Sequence, residues 1–501
     1  MKVTTLILIF LFSSSSFSQN CNYTSIPLIT KSKELEDYVK DRYSEDKTQL
    51  FVNCSLVEKE LIKESLINRK KATLEMLEEG NLILEGPIYD FVNLVYREIR
   101  LANPLISDKK IIILKNEYPN AFTMGEDIIY FHLGLLYRLQ NKEQLAFILC
   151  HELAHDELNH FDKNIIEFVQ FKTDKEKEKK IKEIYRNKYG HVSNLNKLLL
   201  PTLLVSSELS RRDELAADSL GMTYFKNVKS YSLERACTSF DVFLNSDHVR
   251  DTLELNFIEQ LKLSKNIIDI EKLNNEKYES SLGAFDDIDD VKLLTREERD
   301  HLNDLLRTHP FEEERSINLY RDLNLEIPKS FTTSISDNYK IVRYLSEGEM
   351  VVSFFQKEEI GKALFYALNM KRNYPDDDFS NSSITLGMLT LYFYKKKFKE
   401  GIAIENQDEE NDIAYDKLMA LLKKLTIEEC FNIGYELNKS NVYYSSEIST
   451  ENIIIALIID YKNLENEKFK LRLEEHEVRL KESPYWVFIK EMKYDVYKRV
   501  K

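Results

Sequence analysis

Apolar side chains recur at Phe91, Leu94, Val95 and Ile99 between Pro87 and Leu101, the spacing of an amphipathic helix. Upstream, Lys31 to Glu79 is charged and helix-friendly, with apolar positions at Leu61, Ile62, Leu66 and Ile67, and Gly80-Asn81 breaks it. The period then changes. Ile111 to Leu114 is a short apolar run flanked by Lys109, Lys110 and Lys115, which predicts a buried strand. Asn116 to Asn120 turns the chain. Ala121 to Met124, Gly125-Glu126-Asp127 and Ile128 to Phe131 then read as strand, tight turn, strand. Helical periodicity returns from Lys142 to His160, with Leu145, Ile148 and Leu149 on the stripe, and again from Ser206 to Tyr224 and on to about Leu325. Lys163 to Lys188 interleaves Lys with Glu and Asp, the pattern of a solvated surface helix rather than a binding patch. Pro328 to Asp337 is a Ser/Thr-rich connector.

Beyond the connector, Tyr339 to Lys501 reads as successive amphipathic helices of about 12–18 residues. Glu347 to Asn373, followed by Pro375 and Leu386 to Lys397, resembles tetratricopeptide-type helical hairpins. No clean repeat of about 34 residues emerges, and an irregular helical domain reads equally well. The expected fold is therefore mainly α (α+β), with a small sheet ahead of the Lys142 helix and an all-helical C-terminal part. Scarce Gly (12) and Pro (9) in 501 residues agree with long helices.

The net charge of −15 argues against a nucleic-acid partner, because phosphate binding needs a basic surface. The N-terminus reads as a secretory signal: Lys2, the apolar run Val3 to Phe12, then Ser16 and Ser18 at the small-residue positions before a cut at Gln19. No later segment reads as a membrane span; the run Leu198 to Val205 is short and contains Pro201. A secreted protein, periplasmic or extracellular, is expected. The five Cys show no zinc-finger or redox spacing. Cys21 and Cys54 lie in one segment and can pair in an oxidising compartment, whereas Cys150 sits in an apolar helical stretch and reads as packing.

His151-Glu152-Leu153-Ala154-His155 places two imidazoles four residues apart on a predicted helix, so both leave the same face and can share one tetrahedral zinc. Glu152 lies near that face and can take a proton from the water such a metal activates. A catalytic zinc needs a third protein ligand and an open position. Glu214 and Asp218, four apart in Ser210 to Asp218, supply one ligand and one acceptor for the outer ring N–H of a ligating His. Ala216, Ala217 and Gly221 would let their helix come close to the first. His132, His160, His191, His248, His301 and His476 are single and read as surface or core residues.

Four stretches, in order, make residues 85–325 resemble the zinc metalloendopeptidases that include the HtpX-type quality-control proteases, the CAAX prenyl proteases and their soluble periplasmic relatives (metallopeptidase family forty-eight, gluzincin type). They are Asn120 to Gly125, His151 to His155, Glu214 to Asp218, and Thr308-His309-Pro310 with Arg315. The resemblance implies one zinc per chain held by His151, His155 and Glu214, with Glu152 as base and Asp218 behind a ligand. It gives His309 a role, either as donor to the oxyanion or as a gating ligand at the open position. It also implies an edge strand at Ala121, Phe122, Thr123 and Met124, to which an extended peptide adds through main-chain hydrogen bonds. The expected organisation is a signal at 1–18, a helical segment at 19–84, a zincin-like metallopeptidase domain at 85–327 and a helical, tetratricopeptide-like domain at 338–501. The expected activity is hydrolysis of unfolded or mis-assembled envelope polypeptides, with a protein partner on the C-terminal helices. The alternatives are a chaperone-like binding protein with a structural zinc, and a zinc hydrolase acting on something other than peptides.

Overall fold

The computed structural model describes residues 33–43, 48–78, 82–125, 127–173, 194–242, 261, 312–326, 335–405, 413–440 and 449–499. The secretory signal, Cys21, the charged stretch beyond Thr173 and His309 lie outside them.

The chain opens with α1 (Lys33–Arg42), α2 (Leu56–Glu78), β1 (Leu82–Ile83) and α3 (Pro87–Ala102). Gly86, at φ 91°, delivers the chain to Pro87, whose ring suits the first helical turn. The sheet follows as β2 (Lys110–Leu114), β3 (Ala121–Thr123) and β4 (Ile128–His132). Its order is β1-β2-β4-β3, with β2 parallel to β4 and the outer pairs antiparallel. The unbroken apolar run of β2 is explained by burial on both faces. Ile111, Ile113, Ile129 and Phe131 enter the main core with Val92, Val95 and Leu149. Ile112, Leu114, Ile128 and Tyr130 point the other way, onto Leu35, Val39 and Leu77 of α1 and α2. The two-residue period of the strands thus divides the sheet between two helical covers.

Next come α4 (Leu133–Arg138), α5 (Lys142–Glu157), α6 (His160–Thr173), α7 (Asn194–Asn227), α8 (Leu233–Cys237) and α9 (Glu312–Asp322). Two expectations are corrected. The periodic helix from Lys142 stops at Glu157, and Asn159, at φ 53°, turns the chain so that His160 begins a new helix. Leu94 is 51% exposed; α3 buries Ile88, Val92, Val95, Tyr96 and Ile99 instead.

The C-terminal helices are α10 (Asp337–Gln356), α11 (Ile360–Asn373), α12 (Asp378–Lys396), α13 (Glu400–Ala403), α14 (Ile413–Lys424), α15 (Ile427–Ser440), α16 (Thr450–Lys462), α17 (Asn466–Lys481) and α18 (Trp486–Arg499). One turn recurs. Glu358, Phe398 and Leu464 each take a left-handed conformation after a helix. The next N–H in each case returns to the fifth residue before it: Glu359 to Phe354, Lys399 to Tyr394 and Glu465 to Asp460, at 2.9–3.0 Å. This is the Schellman closure, which satisfies the last free carbonyls of a helix. The array packs onto the sheet-bearing part through α10. Tyr339 sets its ring edge-on to Phe91 at 5.7 Å and donates to the Leu136 carbonyl at 2.9 Å. One apolar core runs from β2 to α18. Among the described residues no helix is long and apolar enough to cross a membrane.

Candidate metal centre

The Asn141 side chain caps α5 by accepting from the Gln144 N–H at 2.9 Å. From Glu143 to Ala154 every residue of the helix is buried. His151, Glu152 and His155 therefore stand on a rigid, water-poor element. The facing helix is α7. At Gly221 the two backbones nearly touch, since a Cβ there would lie 3.0 Å from the amide nitrogen and Cα of His151. Ala217 is buried in the same seam, whereas Ala216 faces outward and takes no part in it. This close crossing brings Glu214 and Asp218 to the histidines.

The Nε2 atoms of His151 and His155 lie 3.0 Å apart. Glu214 reaches both, Oε2 at 3.3 Å from His151 and Oε1 at 3.2 Å from His155. Among the described residues these three side chains form the group able to hold a metal ion, with donor atoms within 4.8 Å of one another. Nitrogen and oxygen donors on a tetrahedral zinc stand about 3.3 Å apart, so the donor set fits that ion within a few tenths of an ångström.

Two different arrangements back the two histidines. Nδ1 of His151 is 2.9 Å from Oδ1 of Asp218. Asp218 accepts two hydrogen bonds from Arg315 of α9, from Nε at 2.9 Å and Nη2 at 2.8 Å. The same Nη2 is 3.0 Å from Glu214, and the guanidinium lies 4.2 Å over the ring of Phe240. Behind His155 stands a neutral ring. Nδ1 of His155 meets Nδ1 of His160 at 3.0 Å, and Nε2 of His160 is 3.8 Å from Asp213. If His155 offers Nε2 to a metal, its Nδ1 keeps the proton and donates to His160. Burial lowers the His160 pKa to about 4, against the pull of Asp213, so the ring remains an acceptor at neutral pH.

The electrostatics of the pocket favour positive charge at the histidines. Burial disfavours charge on His151, yet Asp218 and Glu214 outweigh it and raise the imidazole pKa to about 10. Glu214 is held well below the usual carboxylate range: burial pushes it up, and the two histidines more than reverse that. Arg315 and His151 likewise overcome the burial of Asp218. The two carboxylates thus favour positive charge both on Arg315 and at His151. In Glu152 burial dominates and raises the carboxyl pKa, although both histidines oppose it.

The edge strand β3 runs beside α5. On one side it pairs with β4, and Phe122 stacks on Tyr130 at 4.9 Å. Among the described residues no strand pairs with its other side. Met124 lies just past the strand and accepts from Thr73 at 3.7 Å. Lys109, buried, joins Asp127 after β3 to Asp156 at the end of α5. That brace ties the edge strand to the helix bearing the histidines.

His160 and Asp213 were not legible as partners of the site. Their signal is a third His five residues after the pair, but a uniform helix through it points that ring away, and the break at Asn159 brings it back. Arg315 falls in the fourth stretch, where the sequence assigns it no role, and in the structure it clamps Asp218.

A helix-borne His-Glu-x-x-His pair completed by a glutamate from a second helix defines the zincin-like class of metallopeptidases. The family follows from the sequence: residues 94–321 match the model of Peptidase family M48, and this stretch of the chain belongs to that family. No curated protein matches the chain. The matched stretch begins in α3 and ends in α9 beyond Arg315, leaving the C-terminal helices outside it.

Proposed function

We propose that the protein is a zinc-dependent endopeptidase that hydrolyses peptide bonds in unfolded or mis-assembled envelope polypeptides. The convergence of both Nε2 atoms and Glu214, with Glu152 buried beside them, carries this reading. His151, His155 and Glu214 would hold a zinc ion, which would supply a Lewis acid able to make water a nucleophile near neutral pH. Glu152 takes the proton and passes it to the leaving amine; a carboxyl raised by burial suits both directions of that transfer. Asp218, fixed by Arg315, holds the His151 ring in orientation. The free side of β3 accepts an extended peptide by main-chain pairing, a mode that reads little side-chain identity and favours unfolded substrates. His309 is proposed as an oxyanion donor or gating ligand, on sequence resemblance alone. Secretion is proposed from the N-terminal pattern Lys2 to Ser18, and residues 85–327 and 338–501 are taken as the two working parts.

In the competing reading the zinc is structural and the C-terminal helices do the work by binding. Burial of Glu152 weighs against it, because an idle buried carboxyl costs stability for nothing. The deciding comparison is wild type against Glu152→Gln on unfolded casein. Cleavage should fall by about a thousandfold or more while zinc stays bound. Equal cleavage by both, or a wild type without zinc, sinks the proposal.

A further inference from the structure

The loop that feeds β3 is gripped by the C-terminal array. Lys115, just after β2, reaches Glu349 of α10 at 2.8 Å, with both side chains fully buried. Two residues on, Glu117 meets Lys362 of α11 at 3.0 Å and accepts from the Tyr366 hydroxyl at 3.4 Å. Lys362 is itself fixed by Glu359 and Glu405, at 3.2 and 2.7 Å. From the opposite side the sheet pins the same loop. Gly134 N–H donates to the Asn116 carbonyl at 2.8 Å, and His132 N–H to that of Asn120 at 2.9 Å. The fit leaves no slack: a Cβ on Gly134 would stand 1.8 Å from the Glu117 carbonyl oxygen. Ala121, the first residue of β3, follows directly after Asn120.

We infer that the C-terminal helices are part of the substrate-docking edge, with Glu349 and Lys362 as positioning residues that set where β3 presents its free side to a peptide. This deepens the peptidase reading and rests on it. A three-residue strand paired on one side fixes its own place weakly. Buried ion pairs add little net stability over apolar packing; their best-attested use is to impose one register. Pairs at positions 115 and 117 do that immediately before the strand. A slip of one residue would turn its side chains to the wrong face and weaken main-chain pairing with a peptide.

The test uses Glu117→Gln and Glu349→Gln in the full-length, zinc-loaded protein. Amide exchange over residues 116–123 should quicken about tenfold, while the segment around His151 keeps its protection. KM for an extended casein peptide should rise about tenfold, with kcat and zinc content within about twofold of wild type. Glu436→Gln, which breaks an exposed ion pair with Lys439 on α15, should behave like wild type. Wild-type exchange and KM in a folded variant overturn the inference. So does a parallel loss of zinc, which would make these contacts structural only. Should Glu349→Gln fail to fold, Glu117→Gln, which keeps an acceptor for Tyr366, decides alone. The exchange measurement needs no turnover, so a wild type that cleaves nothing sinks the peptidase reading and still leaves the position of β3 measured.

Discussion

His151 and His155 stand one turn apart on α5, yet their outer nitrogens meet different chemistry. Asp218, clamped by Arg315, backs the first; the neutral His160 backs the second. Substitutions should therefore differ in severity. Arg315→Met leaves two buried carboxylates short of a cation and should weaken zinc binding about 10–100-fold in chelator competition. His160→Gln keeps an acceptor near His155 and should cost about tenfold or less. The metal-free protein should also respond to pH. The folded pKa of His151 is raised from 6.5 to about 10. The proton on His151 thus contributes stability fully present below pH 6.5 and lost as pH rises through about 10. The urea midpoint of chelator-stripped protein should fall across that window. Asp218→Asn should flatten the fall, and a profile already flat in wild type would refute the assignment.

The elements show what the sequence pattern could and could not reveal. The strand-turn-strand at 121–131 and the helices around His151 and Glu214 were legible, because burial on one or both faces writes itself into apolar spacing. The exposure of Leu94 was not, since Leu94 and Val95 both fit the three- and four-residue spacing and only the partner decides which is covered. Nor was the break at Asn159, which depends on a single left-handed residue. The two-residue strand β1 is too short to show any period. The recurrent Schellman turn carries no glycine signature either, because Glu358, Phe398 and Leu464 occupy the positions glycine prefers. Phe398 is 96% exposed there and has no packing to lose. Phe398→Gly should therefore raise stability by about 0.5–1 kcal/mol, read as a higher urea midpoint with activity unchanged. A lower midpoint would show that the ring has a partner in solution.

At the scale of the whole molecule, the array and the sheet-bearing part share one core, although the family match stops in α9. Deleting everything after Glu326 would strip α10, with Tyr339, from α3 and α4 and orphan the buried Lys115. The shortened chain should aggregate or show loose, dye-binding cores rather than behave as a compact fragment. A monodisperse, zinc-binding fragment would contradict the shared core. Amphipathic spacing beyond Tyr339 announced helices, but pairwise contacts such as Lys115–Glu349, 234 residues apart, leave no trace in local pattern.

Arg315 comes last in the chain among the described residues of the site. His151, Glu152, His155, Glu214 and Asp218 all leave the ribosome before it. Until α9 docks, the carboxylates that hold and orient the histidines lack their fixed counter-charge. A chain still being made would compete poorly for metal. The order of the sequence thus places completion of the carboxylate clamp after α9 has been made.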